Sequence, residues 1–279
     1  MIDLHTHSTV SDGSDPPAAV AALAHRAGCR AFALTDHDRL DGIAEARREA
    51  TRLGVELVPG CELSCQWEPG TFHLLVYFVE PGDGPLADAL ARLQQVRADR
   101  NVTMVARLAG LGLPITMEEV EAEAGGEGVG RPHMAAVLVA KGAADSVQDA
   151  FDRWLARGRP GYVDKARLSV TEAAALARQA GGVAVIAHPV SLGLEGSSLE
   201  STLRQLAEDG VAGLESYYGR YSPPRRRELV ELARRCGMVA TGGSDHHGRY
   251  KPDLTVGRGT GDLEVPDSVL EELEARRPR

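Results

Sequence analysis

Apolar positions along this chain fall into two alternating rhythms. Short, nearly unbroken apolar runs at 2–4, 31–35, 55–59, 183–187, 212–216 and 238–243 read as strands. The stretches after most of them space their apolar residues by three and four, the rhythm of amphipathic helices, at 17–28, 42–53, 171–180, 199–209 and 223–236. Asp15 before Pro16 and Pro17 offers a capping carboxylate at a helix start, and Gly28 and Gly54 sit where helices end. Two departures interrupt the alternation. Cys65-Gln66-Trp67 and the run 72–79 flank Glu68-Pro69-Gly70, which predicts a hairpin. From 82 to 165 only the helical rhythm is present, with Thr116 and Glu119 spaced as a capping box and a glycine-bearing break at 125–130. The pattern predicts an α/β protein in which residues 1–81 and 166–279 form one unit and 82–165 an inserted all-helical subdomain. A last short helix, 268–276, is expected to pack on the outside.

Candidate chemistry recurs at the strand ends. His5 and His7 are two residues apart, hence on one face of a strand, with Asp12 in the turn that follows. His37 follows the second strand inside Thr-Asp-His-Asp, and Glu62 lies just past the third in Gly-Cys-Glu-Leu-Ser. His73 opens the second arm of the hairpin, His188 ends the strand at 183–187, and Asp245 and His247 follow the last clear strand. In a closed parallel barrel or an open parallel sheet these ends share one edge, so residues from six segments converge. Of the nine histidines in the chain, six belong to this set, which chance placement does not explain. Six imidazoles and three carboxylates exceed the needs of one ion, so two or three divalent metals are expected, with Glu62 and Asp245 as bridging carboxylates. Nitrogen and oxygen donors without thiolate favour manganese, zinc or iron, with magnesium possible. Such a cluster suits phosphate ester hydrolysis by a metal-activated hydroxide, and attack at an amide or lactone carbon is the rival chemistry. Asp12, His37, Glu62, His188 and Asp245 are the expected catalytic positions. Arg131 and His133 at a helix start, and Lys165 at the end of the insertion, are expected anion contacts.

Composition narrows the partners. A formal charge of -9 over 279 residues argues against a general grip on long duplex nucleic acid or an anionic membrane. No stretch approaches the roughly 18–20 apolar residues of a membrane span, and the start lacks a signal-like segment, so a cytoplasmic protein is expected. Cys29, Cys61, Cys65 and Cys236 show no Cys-x-x-Cys spacing and are expected as reduced, buried thiols. No long exposed apolar stripe announces an oligomer interface.

Taken together and in this order, His-x-His, Thr-Asp-His-Asp, Gly-Cys-Glu-Leu-Ser, His73, Ala-His-Pro and Ser-Asp-x-His resemble the signature of the polymerase and histidinol phosphatase (PHP) family. The resemblance covers nearly the whole chain and implies a distorted seven-stranded (β/α)7 barrel with a trinuclear metal site. By it, His5, His7, Glu62 and Asp245 would hold one ion, Glu62, His73 and His188 a second, and Asp12, His37 and His247 the third. Gly-Arg-Pro-His and Tyr-Val-x-Lys within and after the insertion resemble free-standing bacterial members that remove the 3′-phosphate from 3′,5′-bisphosphonucleotides or trim short RNA from its 5′ end. The implied substrate is a nucleotide or short oligonucleotide. The alternatives are a histidinol phosphate phosphatase and a non-catalytic module of the same fold. His246 departs from the family pattern, which leads one to expect an aromatic residue there.

Overall fold

Seven strands stand in chain order in one sheet of the computed structural model: β1 (Ile2–Thr6), β2 (Ala31–Leu34), β3 (Glu56–Cys65), β4 (Phe72–Tyr77), β5 (Val183–Ile186), β6 (Gly213–Tyr218) and β7 (Val239–Gly243). The structure describes residues 1–68, 70–126 and 128–278. Pro69 of the expected Glu68-Pro69-Gly70 turn and Glu127 in the expected break at 125–130 lie outside the described residues. The helices are α1 (Pro17–Ala27), α2 (Ile43–Leu53), α3 (Pro85–Gly110), α4 (Met117–Ala124), α5 (Arg131–Ala140), α6 (Val147–Ala150), α7 (Val170–Gln179), α8 (Gly196–Glu208), α9 (Pro223–Arg235) and α10 (Ser268–Glu274). The fold is the expected α/β barrel with a helical segment between β4 and β5.

All pairings are parallel except those on either side of β4, so six strands run one way and β4 alone runs back. The ring closes just past β7, where the Asp245 N–H donates to His5 O at 2.8 Å and the His7 N–H to His246 O at 3.0 Å. Closure needs a glycine: a Cβ on Gly243 would lie 2.4 Å from the Cβ of His5. A second glycine explains why β3 is longer than the apolar run at 55–59. At Pro59 the strand still pairs with β2, and from Gly60 it pairs antiparallel with β4. A Cβ on Gly60 would stand 2.5 Å from Val76 O, so glycine lets β4 come close where its antiparallel pairing begins, while the other edge of β3 stays paired with residues 36–38. Glu62 consequently sits within β3 and not beyond it.

Alternation along the strands divides the interior. Ile2, Leu4, Ala31, Ala33, Leu75, Val185 and Val239 fill the inside of the ring, while Phe32, Leu34, Leu63, Leu74 and Ile186 face the surrounding helices. Contrary to expectation, α10 is not an outer helix. Its Val269, Leu270 and Leu273 join the inner cluster, and the Asp267 carbonyl accepts from Arg30 beside the start of β2, so α10 plugs the end of the ring opposite the ligand-bearing edge. A third apolar cluster belongs to the helical segment, with Met104, Leu108, Val120, Met134 and Leu138. Helix α3 joins two of these clusters: Leu86, Leu90 and Leu93 pack with the barrel, and Met104, Val105 and Leu108 with the other helices. No described helix is long and apolar enough to cross a membrane.

The expected Asp15 cap is not formed. Residue Pro16 occupies the cap position of α1 without a side-chain bond, and the Asp15 carboxylate instead lies 2.9 Å from His246 Nε2. His246 also contacts the Leu254 carbonyl through Nδ1 at 2.8 Å, so it ties the loop after β7 to the start of α1. Thr116 and Glu119 do form their capping box.

Candidate metal centre

Because six strands run one way and β4 runs back, the C-terminal ends of the six and the beginning of β4 lie on one edge. His73, paired with Ser64 across the hairpin, reaches that edge only by the reversal. All nine residues expected as ligands meet there. His5 Nε2 and His7 Nε2 are 3.1 Å apart, and Glu62 Oε2 stands 3.3 and 3.2 Å from them. The other oxygen, Oε1, is 2.9 Å from His73 Nδ1 and 3.1 Å from His188 Nε2. Asp12 lies 3.3 Å from His247 Nε2 and 3.8 Å from His37 Nε2. Asp245 Oδ1 is 3.5 Å from both His5 and His7 and 3.3 Å from His247.

Three groups of donor atoms each fall within a 4.8 Å span: His7, Asp12, His37 and His247; His5, His7 and Asp245; and His37, Glu62 and His73. The donor set fits divalent cations. Imidazole and carboxylate atoms face one another without thiolate, and Nδ1 of His37 is buried with no hydrogen bond although Glu62 Oε2 is 3.2 Å away. Burial works to raise the Glu62 pKa, yet His37, His73 and His5 hold it well below the usual carboxylate value. Burial likewise works to depress His5, but Glu215, Glu62 and Asp245 outweigh it and hold its pKa well above the ordinary value. The basin keeps Glu62, Asp12 and Asp245 ionised, while burial holds His7, His37 and His73 below the ordinary imidazole value, so anionic oxygens face neutral ring nitrogens, the donor forms that a divalent cation takes.

Partners behind the donors hold them in place. Glu215, wholly buried on β6, is 2.8 Å from His5 Nδ1 and accepts from the His188 N–H at 2.6 Å. Asp36 accepts from Ser8 N, Ser8 Oγ and Ser11 Oγ, shaping the turn that carries Asp12. Oδ2 of Asp245 accepts from Tyr218 at 2.7 Å and Lys251 at 2.6 Å, which leaves Oδ1 for the basin. Three of the four described non-glycine residues with positive φ, Asp38, His188 and Asp245, lie in or beside the donor cluster, so strained backbone concentrates there.

A cavity of about 380 Å³ opens from the basin. Asp12, His37, His73 and His247 line one side, and Arg97, Arg100, Arg131, Lys165 and Arg167 line the other. Asp38 binds Arg97 at 2.5 Å and Lys165 at 3.2 Å. Arg131 stacks between Phe151 and Tyr162, 5.5 and 5.8 Å from the ring centroids. Arg100 makes no hydrogen bond or ion pair among the described residues although it is 7% exposed, and burial, then the charge of Arg97, pushes its pKa down to about 9. Of the three expected anion contacts, Arg131 and Lys165 line this cavity and His133 does not. His133 is fully buried, and its Nδ1 accepts the Gly130 N–H at 3.0 Å, so it caps its own helix and packs edge-on against Tyr250. Arg97, Arg100 and Glu215 were missed by sequence reasoning. The two arginines look like the solvated face of a long helix, and Glu215 carries only the faint signal of one carboxylate in an apolar strand.

Residues 3–108 match the PHP domain family. The chain is 34% identical over 260 residues to the 5′-3′ exoribonuclease Rnm of Escherichia coli, covering 92% of this chain and 88% of the relative. It is 33% identical over 277 residues to the 3′,5′-nucleoside bisphosphate phosphatase of Chromobacterium violaceum, covering 99% and 97%. Among solved structures, a protein of Bifidobacterium adolescentis provisionally described as a metal-dependent phosphoesterase superposes with a TM-score of 0.88 at 30% identity, covering 100% of this chain and 96% of that one.

Proposed function

The chain belongs to the PHP family of metal-dependent phosphoesterases, and from that premise we propose that it hydrolyses the 3′-phosphate ester of nucleotides carrying a second, 5′ phosphate, as bisphosphonucleotides or short 5′-phosphorylated RNA. The observation that carries this reading is the cavity in which the donor cluster faces Arg97, Arg100, Arg131 and Lys165. A simple monoester needs one anion site; a wall of buried and half-buried cations, in which Arg97 and Lys165 share the one carboxylate of Asp38 and Arg100 has no partner among the described residues, suits a second anion.

In this proposal His5, His7, Asp12, His37, Glu62, His73, His188, Asp245 and His247 would hold two or three divalent ions, manganese, zinc or iron. Ions held there supply Lewis acidity for a water nucleophile and neutralise charge on the phosphoryl oxygens. The chain's own residues do the positioning. Glu215 fixes the ring of His5 and the backbone of His188, Tyr218 and Lys251 fix Asp245, and Arg131, held flat by its two rings, offers a bidentate fork to the distal phosphate. The helices at 82–165 act as a cap that brings this wall over the barrel edge. The proposed setting is the cytoplasm, where four free thiols remain reduced.

The test is phosphate or nucleotide release by the manganese-loaded protein on adenosine 3′,5′-bisphosphate, adenosine 5′-monophosphate, a 5′-phosphorylated RNA trimer and histidinol phosphate. The bisphosphate or trimer should be preferred. Preference for histidinol phosphate, or equal rates on all four, would refute the proposal.

A further inference from the structure

Beside the basic cavity lies a second one, of about 420 Å³, within the roughly 300–1,000 Å³ of small-molecule sites. The two share His37 and Arg97, so one wall of each belongs to the same catalytic edge. Their characters differ. Ala98, Val102, Met117 and Val129 line the second cavity, and Val102 is 58% exposed, an apolar side chain left to solvent on α3. Asn101, 2% exposed, also lines it. Its Nδ2 donates to Val129 O at 2.8 Å, which fixes the amide orientation and leaves Oδ1 buried with no partner. Nε of Arg97, at the seam between the cavities, is also buried and unpartnered. Ser11, Arg39, Gln94, Arg97 and Glu121 add polar and charged groups to this lining, and apolar walls with a few such groups suit a flat ring with polar edges.

Resting on the reading above, we propose that this cavity is the subsite for the second nucleoside of a 5′-phosphorylated RNA, so that the site is built for an internucleotide linkage as well as a terminal phosphate. The same bond breaks in both substrates. The oxygen of water joins phosphorus, the bond from phosphorus to O3′ of the first nucleotide breaks, and O3′ leaves with a proton. The first nucleotide departs from the basic cavity as a 5′-monophosphate. With a bisphosphate the other product is inorganic phosphate; with RNA it is the remaining chain, which keeps the phosphate on its new 5′ end. Only the second substrate has a nucleoside on the far side of phosphorus, and only it needs the second cavity.

Ala98 is exposed on α3 and one turn from Val102, so a large side chain there fills the cavity without entering a packed core. The test compares kcat/KM of wild type, Ala98→Trp and Val102→Ser on adenosine 3′,5′-bisphosphate and on a 5′-phosphorylated diadenylate. Ala98→Trp should lower the value for the dinucleotide by roughly tenfold or more and leave the bisphosphate within about twofold, and Val102→Ser should act in the same direction but less. Equal losses on both substrates, or no loss on either, would overturn the subsite. Wild-type hydrolysis of the bisphosphate without the dinucleotide would overturn it too, whereas wild-type silence on both would overturn the nucleotide reading itself.

Discussion

The barrel floor of the candidate site and the helical cap proposed for it are held by opposite kinds of structure. On the floor each donor is locked from behind: His5 by Glu215, Asp245 by Tyr218 and Lys251, the Asp12 turn by Asp36. In the cap, Arg100 has no partner among the described residues and Arg131 has one hydrogen bond, to Leu155 O at 3.3 Å. The floor sets carboxylates against imidazoles, whereas the opposite wall sets Arg97 and Lys165 against one carboxylate, Asp38, and leaves Arg100 without a partner among the described residues. Precise ligand geometry needs short side chains on or just past strand ends, whereas a larger and more variable substrate is better met by long side chains such as Arg100, whose charge no neighbour takes.

The comparison breaks most directly at Glu62, which touches five of the six site imidazoles. Glu62→Gln keeps the shape and removes the charge. Activity on every substrate should fall by at least about a hundredfold, the upper end of what outer-shell changes alone cost, and bound metal, counted by elemental analysis, should fall with it. Full metal content and near-normal rates would remove Glu62 from the centre. Arg100→Ala should behave differently. Hydrogen bonds to charged groups are worth about 1.5–3 kcal/mol, so kcat/KM for a bisphosphate should drop roughly 10–100-fold. Metal content should not change, and thermal stability should hold or rise, because a buried charge without a partner is removed. A loss of metal, or equal losses on mono- and bisphosphates, would erase the distinction between floor and cap.

The same contrast separates what was legible in the chain from what was not. The floor could be read because period-two alternation and short strand ends force His5, His7, His37 and Glu62 toward one edge whatever the details of packing. His73 needed the hairpin, whose Glu68-Pro69-Gly70 turn is visible as turn chemistry. Glu215 was hidden by being alone: one carboxylate in Gly-Leu-Glu-Ser has no spacing to give it away, though a charge in a buried strand demands a partner. The cap was harder because helical periodicity does not tell a solvated face from one turned to a site. Arg97 and Arg100, three apart on α3, look like ordinary surface arginines until the segment folds over the barrel. His133, at a helix start in Gly-Arg-Pro-His, had the chemistry of an anion contact, and a local bond to Gly130 N–H took it instead.

The finest test of the contrast is a proton. Burial, then the charge of Arg97, pushes the Lys165 ammonium down to about 8, against the pull of Asp38. A lysine whose pKa is lowered is charged below that value and neutral above it, so on the proposed reading one of the cations meeting the distal phosphate is lost as pH rises through 8. KM for the bisphosphate should therefore climb several-fold between about pH 7 and 9, while KM for a monophosphate, which leaves the distal position empty, should stay flatter over the same range. Lys165→Arg keeps its charge throughout and should flatten the bisphosphate profile to match. Because both substrates meet the same floor, any titration of the donors themselves moves the two profiles together. A KM that rises equally for both substrates, or that persists in the arginine variant, would assign the pH dependence to the floor and leave Lys165 as a structural partner of Asp38.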